Sequence, residues 1–319
     1  MEQHQKQTRD EKIKELTEKL EEGIKSVFAS SKYREYLTVM SKFHSYSFNN
    51  SVLILMQKPD ARYVAGYRTW ESLNRHVKKG EKGITILAPN PHRLMKEVTV
   101  INPETGQPKL DADGKPMTEQ KQITYASFRP ITIFDVSQTE GEPLPELVTE
   151  LKKKALNYPL LMNIIKSTSP VSIRFESWEG LAKGYYNRTS DEIVIKDGMS
   201  ESQTLKTALH ETAHSILHAD KKNPKDPATK EIEAESVAFI VCNHFGIDTS
   251  DYSFAYLASW SSSKELPELR ASLKTIQTTA HDLIDRMDEQ IQRHMEIQRQ
   301  PETIGTEIQN TQEIHHSRR

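Results

Sequence analysis

The chain has 319 residues and a formal net charge of −2, and this length leaves room for two hydrophobic cores of ordinary size. No stretch approaches the ~18 consecutive apolar residues of a membrane span, and the polar beginning, MEQHQKQTRDEK, lacks the apolar centre of a secretory signal. The single cysteine, Cys242, excludes an internal disulfide, fits a reducing, cytoplasmic compartment, and lies in an apolar run typical of a buried structural thiol.

Positive charge is concentrated near the N-terminus, after a charged amphipathic helix predicted for residues 9–29. Between residues 31 and 96, twelve Lys and Arg accompany four acidic residues, so this segment carries +8 and the remainder −10. This asymmetry favours a partner that contains phosphates. The interleaved aromatic residues are Tyr33, Tyr36, Phe43, Tyr46, Phe48, Tyr63, Tyr67 and Trp70. They allow two interpretations: rings that stack on the bases of single-stranded nucleic acid, or ordinary core residues beneath a solvated basic face.

A basic turn precedes the strand predicted for residues 84–87. Lys78, Lys79 and Lys82 surround Gly80, and glycine allows another backbone to approach closely. A nucleic-acid backbone could therefore approach this turn closely. The candidate DNA contacts are Arg68, Trp70, Arg75, Lys78, Lys79 and Lys82.

The middle of the chain consists of predicted strands and polar connections. Residues 102–120 predict a long polar excursion between a strand at 98–101 and a strand-like run at 123–134. Residues 141–145 contain two prolines and predict a linker between domains. Further along, residues 184–195 predict a strand–turn–strand hairpin. This hairpin either offers an edge strand to an extended substrate or simply covers the core.

The most informative motif is His210-Glu211-Thr212-Ala213-His214, in a run that predicts a largely apolar, buried helix. Positions four apart share a helix face, so His210 and His214 can direct two imidazole nitrogens toward one Zn²⁺. Glu211 lies beside that point, where it can accept a proton from a metal-bound water. An accidental pair of surface histidines is the alternative, but buried polar side chains need partners, and a metal supplies one.

A catalytic zinc site needs a third protein ligand and an open position. His218 continues the histidine stripe, but roughly 12 Å of helix separates it from the first histidine, so we expect it to face solvent at the helix end. The helix predicted for residues 230–245 has an apolar core pattern and carries Glu231, Glu233 and Glu235. Glu231 and Glu235 share a face, so one can bind zinc while the other accepts a hydrogen bond from a ligand histidine. We expect Glu231 to be the ligand; the reverse assignment stays open, and Glu233 is the third choice.

Two sets of motifs resemble a known family. HETAHSILH at residues 210–218, followed by EIEAESVAF at 231–239, resembles the gluzincin-type pattern of ArdC-type antirestriction proteins and the related ImmA/IrrE metallopeptidases. The resemblance implies that Glu231 binds the metal and that Glu235 is the acidic residue behind it. The segments that resemble the N-terminal domain of the ArdC family, which is associated with single-stranded DNA binding, are residues 46–50, 64–70, 78–84 and 134–139.

These features predict an α+β protein of two domains. A basic N-terminal domain of helices and a small antiparallel sheet would span residues 1–140. A zincin-like metallopeptidase domain, made of a hairpin, a metal helix and a ligand helix, would span residues 141–299. Residues 300–319 are polar and predict a disordered tail.

The resemblance implies an antirestriction protein of a mobile element that binds single-stranded DNA and cleaves an unidentified protein substrate. Zn²⁺ would polarise the scissile carbonyl, Glu211 would act as general base, and Tyr252 or Tyr256 could donate to the oxyanion. Two alternatives stay open. The zinc could be structural in a DNA-binding protective module, or the protein could be an ImmA-like regulatory protease that cleaves a repressor.

Overall fold

The computed structural model describes residues 8–28, 30–125, 127–144, 156–220, 225–252, 254 and 257–299. The helices are α1 (Arg9–Val27), α2 (Ser30–Lys42), α3 (Phe48–Gln57), α4 (Tyr67–Ser72), α5 (Tyr158–Thr168), α6 (Glu201–Leu217), α7 (Pro227–His244), α8 (Leu257–Ser262) and α9 (Leu266–Arg299). The strands are β1 (Val64–Gly66), β2 (Arg75–Val77), β3 (Ile84–Pro89), β4 (His92–Thr99), β5 (Thr118–Tyr125), β6 (Phe128–Asp135), β7 (Thr139–Gly141), β8 (Ser172–Glu176), β9 (Gly184–Asn187) and β10 (Glu192–Lys196). This mixture of helix and sheet confirms the α+β prediction.

The described strands form two small sheets and two ribbons. The first sheet has the antiparallel order β1-β6-β3, and β2 pairs with β7 beside it. The second sheet has the order β8-β10-β9, in which β10 runs parallel to β8 and antiparallel to β9. The hairpin predicted for residues 184–195 is therefore present as β9 and β10. One of its strands, β9, forms an edge of the second sheet.

The strand-like run predicted for residues 123–134 is divided between two structures. β5 ends at Tyr125 and pairs with β4 in an exposed ribbon, whereas β6 begins at Phe128 and enters the first sheet. The ribbon's residues are almost all exposed. β5 pairs with β4, whereas β6 pairs with β1 and β3. The run is therefore divided into two strands because its two parts pair with different strands, although both parts have a strand-forming composition.

The helices that carry the candidate metal site begin at well-formed caps. Ser200 precedes α6 and accepts a hydrogen bond from the backbone N–H of Gln203. Asp226 precedes α7 and accepts from the backbone N–H of Thr229, while Pro227 stands at the first helical position. Such caps satisfy amide groups that have no partner within the helix, and proline has no amide to satisfy there.

The helices of the two halves share one core. The apolar faces of α1, α2 and α3 pack with α7 and α9 in a continuous buried cluster. The hydroxyls of Tyr33 and Ser236 share a hydrogen bond of 2.8 Å, and the rings of Phe28 and Trp260 lie 5.6 Å apart. The boundary predicted near residue 140 stays a prediction, but the helices on either side of it bury each other's apolar surface.

Several sequence expectations concern the core or fall outside the described residues. Most of the aromatic residues of the basic segment are core residues; those buried are Tyr33, Tyr36, Phe43, Phe48 and Trp70, whereas Tyr63 and Tyr67 are about half exposed. Tyr256 and residues 300–319 lie outside the described residues, as does Pro145 at the end of the predicted linker. Within the described part of the chain, no helix combines the length and apolar character needed to cross a membrane.

Candidate functional site

The histidines of α6 and a glutamate of α7 converge on one point. His210 and His214 lie one turn apart, and their Nε2 atoms are 3.1 Å from each other. Glu231 approaches from the second turn of α7, with Oε2 3.6 Å from His210 Nε2 and Oε1 3.5 Å from His214 Nε2. The structure thus brings Glu231, rather than Glu233 or Glu235, to the pair of Nε2 atoms.

The separations among these three side chains fit a divalent cation. Ligand atoms 2.0–2.1 Å from a tetrahedral Zn²⁺ are about 3.3 Å from one another, close to the 3.1–3.6 Å observed. Two imidazoles and one carboxylate are a common donor set for this ion. Among the described residues, no fourth His, Cys, Asp or Glu joins the group His210, His214 and Glu231. This donor set therefore leaves one position for water or substrate.

Charge at the site also favours a cation. Burial by itself lowers the pKa of His210, but Glu231 and Glu235 outweigh this effect and raise it to about 10. The neighbouring imidazoles of His210 and His214 hold the pKa of Glu231 below its usual range. The negative potential that draws a proton to His210 would equally draw a metal ion.

Glu235 lies behind the first histidine. Its Oε2 atom is 3.0 Å from His210 Nδ1, the nitrogen that faces away from Glu231. The atoms are close, but Nδ1 does not have the alignment of a good hydrogen bond. A carboxylate in this position fixes which nitrogen of a ligand histidine carries the proton.

The second histidine is supported by a buried chain of polar groups. His214 Nδ1 lies 3.1 Å from His218 Nδ1, and His218 Nε2 lies 3.1 Å from Glu233 Oε2. Glu233, which is fully buried, also accepts hydrogen bonds from Ser272 Oγ at 2.7 Å and from Lys225 Nζ at 2.7 and 2.8 Å. We name His218, Glu233, Lys225 and Ser272 the His214 support.

The expectation that His218 faces solvent is wrong. Its exposed fraction is 4%, because α7 and α9 cover the end of α6. His218 is too far along α6 to reach the Nε2 atoms of His210 and His214. The same spacing of four residues places it against Nδ1 of His214, the nitrogen that faces away from Glu231. Glu233, the third choice for the metal ligand, contacts His218 and not the Nε2 pair. It is therefore not a candidate ligand in this structure. The stripe 210, 214, 218 was the available sequence signal for this arrangement.

Glu211 lies between two clefts that meet at the Nε2 pair. Clefts of about 350 Å³ and 490 Å³ share Gly184, His210 and Glu211 as lining residues. Burial, which outweighs the opposing effect of His210, raises the pKa of the Glu211 carboxyl. β9 borders both clefts through Gly184, so the edge of the second sheet runs beside the candidate metal ligands.

The candidate oxyanion donor Tyr252 lines the first cleft, but its hydroxyl faces the interior. That hydroxyl lies 3.6 Å from the Sγ atom of Cys242, a buried thiol whose pKa burial raises to about 12. A cation that the sequence reasoning missed lines the same cleft: Lys206, four residues before His210. Its Nζ atom lies 3.3 Å from Asp251 and 5.7 Å from the ring centre of Tyr252. The spacing of four residues between Lys206 and His210 places both on one face of the helix, and this spacing could have identified Lys206 from the sequence.

The structure removes two residues from the candidate DNA contacts. Trp70 is fully buried, and its indole N–H donates to the carbonyl of Phe134 at 3.0 Å. The Arg75 guanidinium is buried and donates to Thr139 and to the carbonyl of Gly141. Trp70 therefore stabilises the first sheet, and Arg75 stabilises the β2–β7 ribbon beside it. Aromatic and guanidinium side chains are used in protein interiors as well as in nucleic-acid binding, so their presence in the sequence did not distinguish the two roles. The other four candidates, Arg68, Lys78, Lys79 and Lys82, are exposed.

A buried aspartate brings the basic segments together. Asp135 ends β6 and caps the short 3₁₀ turn Val136–Gln138. Its Oδ1 atom also accepts the backbone N–H groups of Arg62 and Tyr63, at 2.7 and 3.0 Å. We name residues 135–138 the Asp135 turn. It places exposed Arg62 and half-exposed Tyr63 at one end of the first sheet.

The same turn holds the basic glycine turn. The backbone N–H of Lys78 donates to the Gln138 carbonyl at 3.0 Å, and the Gln138 side-chain amide donates to the Lys82 carbonyl at 2.9 Å. Between them, Gly80 has φ +89°, a conformation that L side chains rarely adopt. The backbones of Tyr63, Lys78 and Lys82 are thus all hydrogen-bonded to the Asp135 turn.

Two known families match different parts of the chain. Residues 6–134 match the N-terminal domain of the anti-restriction factor ArdC, and residues 171–277 match the IrrE N-terminal-like domain, a peptidase family. The chain joins an ArdC-type domain to an IrrE-like domain. The IrrE-like domain contains α6 and α7, and with them His210, His214 and Glu231. The ArdC-type domain contains the basic glycine turn.

Individual relatives match over different shares of the chain. An uncharacterized protein of Bacillus anthracis is 31% identical over 338 aligned residues, which cover 95% of this chain and 55% of that protein. Two DNA primases TraC of Escherichia coli are 28% and 27% identical over 225 residues, or 66% of this chain and 20% and 15% of theirs. The chain thus spans about half the length of the Bacillus protein and a fifth or less of the primases.

Two crystal structures of the antirestriction ArdC protein from plasmid R388 also resemble the chain. The metal-free structure has a TM-score of 0.47 and 23% identity, covering 78% of this chain and 86% of that one. The Mn(II)-bound structure has a TM-score of 0.46 and 21% identity, covering 77% and 85%.

Proposed function

We propose that this chain is an ArdC-type antirestriction protein that binds single-stranded DNA and hydrolyses a peptide bond at a divalent-metal site. One observation carries the peptidase half. The ligand atoms of His210, His214 and Glu231 all lie within 4.8 Å of one another, beside buried Glu211 and an edge strand. The match to the IrrE-like domain supports the same class of chemistry.

Each side chain has a distinct part in this proposal. His210, His214 and Glu231 would hold Zn²⁺, which when bound supplies Lewis acidity toward a carbonyl and makes water acidic near neutral pH. Glu211 accepts a proton from the attacking water at its carboxylate and passes it to the leaving amine. β9 pairs with an extended segment of the substrate, because an unpaired strand edge offers backbone donors and acceptors.

The peptidase proposal is tested by Glu211→Gln. We expect hydrolysis to fall by about 10²- to 10⁴-fold, because the amide cannot accept a proton. The probe is a proteome-derived peptide library, with and without a single-stranded oligonucleotide, and bound metal is measured in parallel. Glu201→Gln, an exposed position on the same helix, is the matched control. Equal cleavage by the Glu211 variant would contradict the proposal.

The DNA half rests on charge and placement. Residues 31–96 carry +8 in a chain of −2. The Asp135 turn binds backbone groups of Arg62, Lys78 and Lys82 and also the backbone N–H of Tyr63, whose ring is half exposed. Cations beside an exposed aromatic ring bind the phosphates and bases of single strands without reading sequence. The match of residues 6–134 to the ArdC N-terminal domain supports this assignment.

Replacement of Lys78, Lys79 and Lys82 by glutamine tests the DNA proposal. We expect weaker binding to a single-stranded oligonucleotide, and a log–log salt slope reduced by about 2, since each lost phosphate contact removes about 0.7. Lys109, Lys115 and Lys121, exposed near the β4–β5 ribbon, form a control of equal charge. An unchanged slope in the first variant, or equal losses in both, would remove the basic glycine turn from the proposal.

The biological role combines both halves. We propose that the chain protects transferred DNA from host restriction, as the name of its ArdC relatives implies for them. Glu211→Gln also discriminates the alternatives in a conjugation assay. Lost protection with intact DNA binding supports the peptidase, and unchanged protection supports a DNA-binding module with a structural metal. Fragments of a repressor, rather than of a restriction subunit, would support a regulatory protease.

A further inference from the structure

A second group of histidines and carboxylates lies far along the chain from the first. His44 stands in the turn between α2 and α3, whereas His281 and Asp285 lie one turn apart on α9. His44 Nδ1 is 3.2 Å from His281 Nδ1 and 3.6 Å from Asp285 Oδ1. These separations match the 3.1–3.6 Å of the His210 site. In the described part of the chain, these two groups alone have the geometry to hold a metal ion.

Hydrogen bonding accounts for only part of this geometry. Asp285 Oδ1 lies 3.6 Å from His44 Nδ1, and Asp285 Oδ2 lies 3.4 Å from His281 Nε2, and both distances exceed the 2.7–3.2 Å of ordinary N–H···O bonds. The two Nδ1 atoms face each other, so at most one of them can donate to the other while both rings are neutral. The 3.2 and 3.6 Å separations of His281 Nδ1 and Asp285 Oδ1 from His44 Nδ1 are close to the ~3.3 Å between ligand atoms around a tetrahedral ion.

A neighbouring histidine and carboxylate lie against this group. His244, at the end of α7, packs its ring edge against that of His44, with centroids 4.9 Å apart. Its Nδ1 donates to the Ser41 carbonyl at 2.9 Å, and its Nε2 lies 3.7 Å from Asp288 Oδ2. Asp288 thus adds a second carboxylate beside these histidines, and negative charge favours a nearby cation.

We propose that His44, His281 and Asp285 form a second divalent-metal site, independent of the His210 site, which takes Zn²⁺ or a similar late first-row ion. Imidazole suits these ions, and one carboxylate completes a common donor set. Asp285 is half exposed, so an ion reaches the site from solvent. Water can complete its coordination.

The position of this site gives it a structural role. His44 belongs to the ArdC-type half, and α9 belongs to the C-terminal half. The side-chain amide of Gln277, on α9, already donates to the carbonyl of Tyr46 in the same turn. A metal bound between the turn and α9 ties the two halves together. Because it binds only where the three side chains meet, it stabilises the folded chain.

The test is zinc binding by the full chain after the His210 site has been removed. In a variant with both His210→Ala and His214→Ala, we expect about one equivalent of Zn²⁺ to remain bound and thermal stability to rise on zinc addition. Adding Asp285→Asn, which preserves side-chain shape, should lower zinc affinity at least about 10-fold; adding His281→Ala should abolish binding. Co²⁺ serves as a spectroscopic probe of coordination. His76→Ala, an exposed histidine outside both groups, is the matched control.

The outcomes are decisive without reference to catalysis. Zinc binding by the His210/His214 variant that weakens at least about 10-fold with Asp285→Asn and is lost with His281→Ala supports the second site. If that variant binds no zinc, or if binding persists unchanged with Asp285→Asn and His281→Ala together, the second site does not exist. Because the His210 site is disabled throughout, peptidase activity has no bearing on the result.

Discussion

At the scale of single residues, the candidate site depends on side chains that never touch the metal point. Glu235 lies beside one ligand histidine, and the His214 support reaches the other through His218. Orientation of a ligand imidazole determines which nitrogen is free to bind, so mutation of a group that orients it typically costs about 10- to 100-fold in metal affinity. The buried carboxylate of Glu233 is the anchor of this support.

We expect Glu233→Gln to lower metal affinity by about 10- to 100-fold, because His218 loses the carboxylate that holds it against His214. Zinc titration of the full chain measures this loss. The variant should also unfold more easily, by about 3 kcal/mol, since Lys225 loses its buried partner. Lys225→Met is the control: it should affect stability but leave metal affinity nearly intact. Equal metal affinity in the wild type and the Glu233 variant would contradict the orienting role.

Asp135 allows a prediction about pH. Burial raises the pKa of its carboxyl, but hydrogen bonds from Ser137, Arg62 and Tyr63 outweigh this and hold it below the usual 3.8. A carboxylate whose folded pKa is depressed stabilises the protein above its unfolded pKa and loses that contribution as pH falls through the folded pKa. Asp135→Asn should therefore cost about 1–3 kcal/mol near pH 7 and progressively less below about pH 4.

Urea denaturation across this pH range measures the Asp135 effect. Asp113→Asn, an exposed position in the excursion between β4 and β5, is the control and should show no comparable cost at any pH. A cost of Asp135→Asn that stays constant with pH would mean that shape, rather than charge, matters at this position.

At the scale of elements, the closeness of β9 to α6 defines the clefts. A Cβ atom on Gly184 would lie 2.6 Å from Thr207 Cγ2 and 3.4 Å from Glu211 Cγ. The absence of a side chain at Gly184 therefore allows the edge strand to approach the helix that carries the general-base candidate. The residues of β9 and α6 determine locally that a strand and a helix form. The close packing of β9 against α6, by contrast, depends on the absence of a Cβ atom at Gly184.

Gly184→Ala should destabilise the chain by about 1–3 kcal/mol through overpacking against α6. Combining it with Thr207→Ser, which removes the contacting methyl group, should restore part of that loss, because a contact of 3.1 Å with the Val194 carbonyl remains. Denaturant unfolding of the two single variants and the double variant forms a double-mutant cycle. Strict additivity of the two changes would show that β9 and α6 do not meet at this point.

At the scale of the whole molecule, the helices of the two halves form one core. The Tyr33–Ser236 hydrogen bond and the Phe28–Trp260 ring contact both cross between α1–α2 and the C-terminal helices. When α2 separates from this core, the apolar surface that it covers on the C-terminal helices is exposed as well. We therefore expect α2 and α7 to open together.

Tyr33→Phe should cost about 1 kcal/mol and speed hydrogen exchange in α2 and α7 alike, because the lost hydrogen bond joins them. Exchange measured by mass spectrometry reports both helices in one experiment. Tyr125→Phe, on the exposed β5, is the matched control. Faster exchange confined to α2 would indicate that the two halves unfold separately.

The sequence by itself determined the features that depend on near neighbours. Spacing of four placed His210 and His214 on one face, strand-forming residues around a turn predicted the hairpin, and periodicity predicted a core helix that carries Glu231. Tertiary structure alone decided that His218 is buried and that Trp70 serves the core, and it selected Glu231 where helix periodicity had left Glu235 open. The physical reason is range: helix periodicity acts over a few residues, whereas these outcomes depend on how distant elements cross and cover one another.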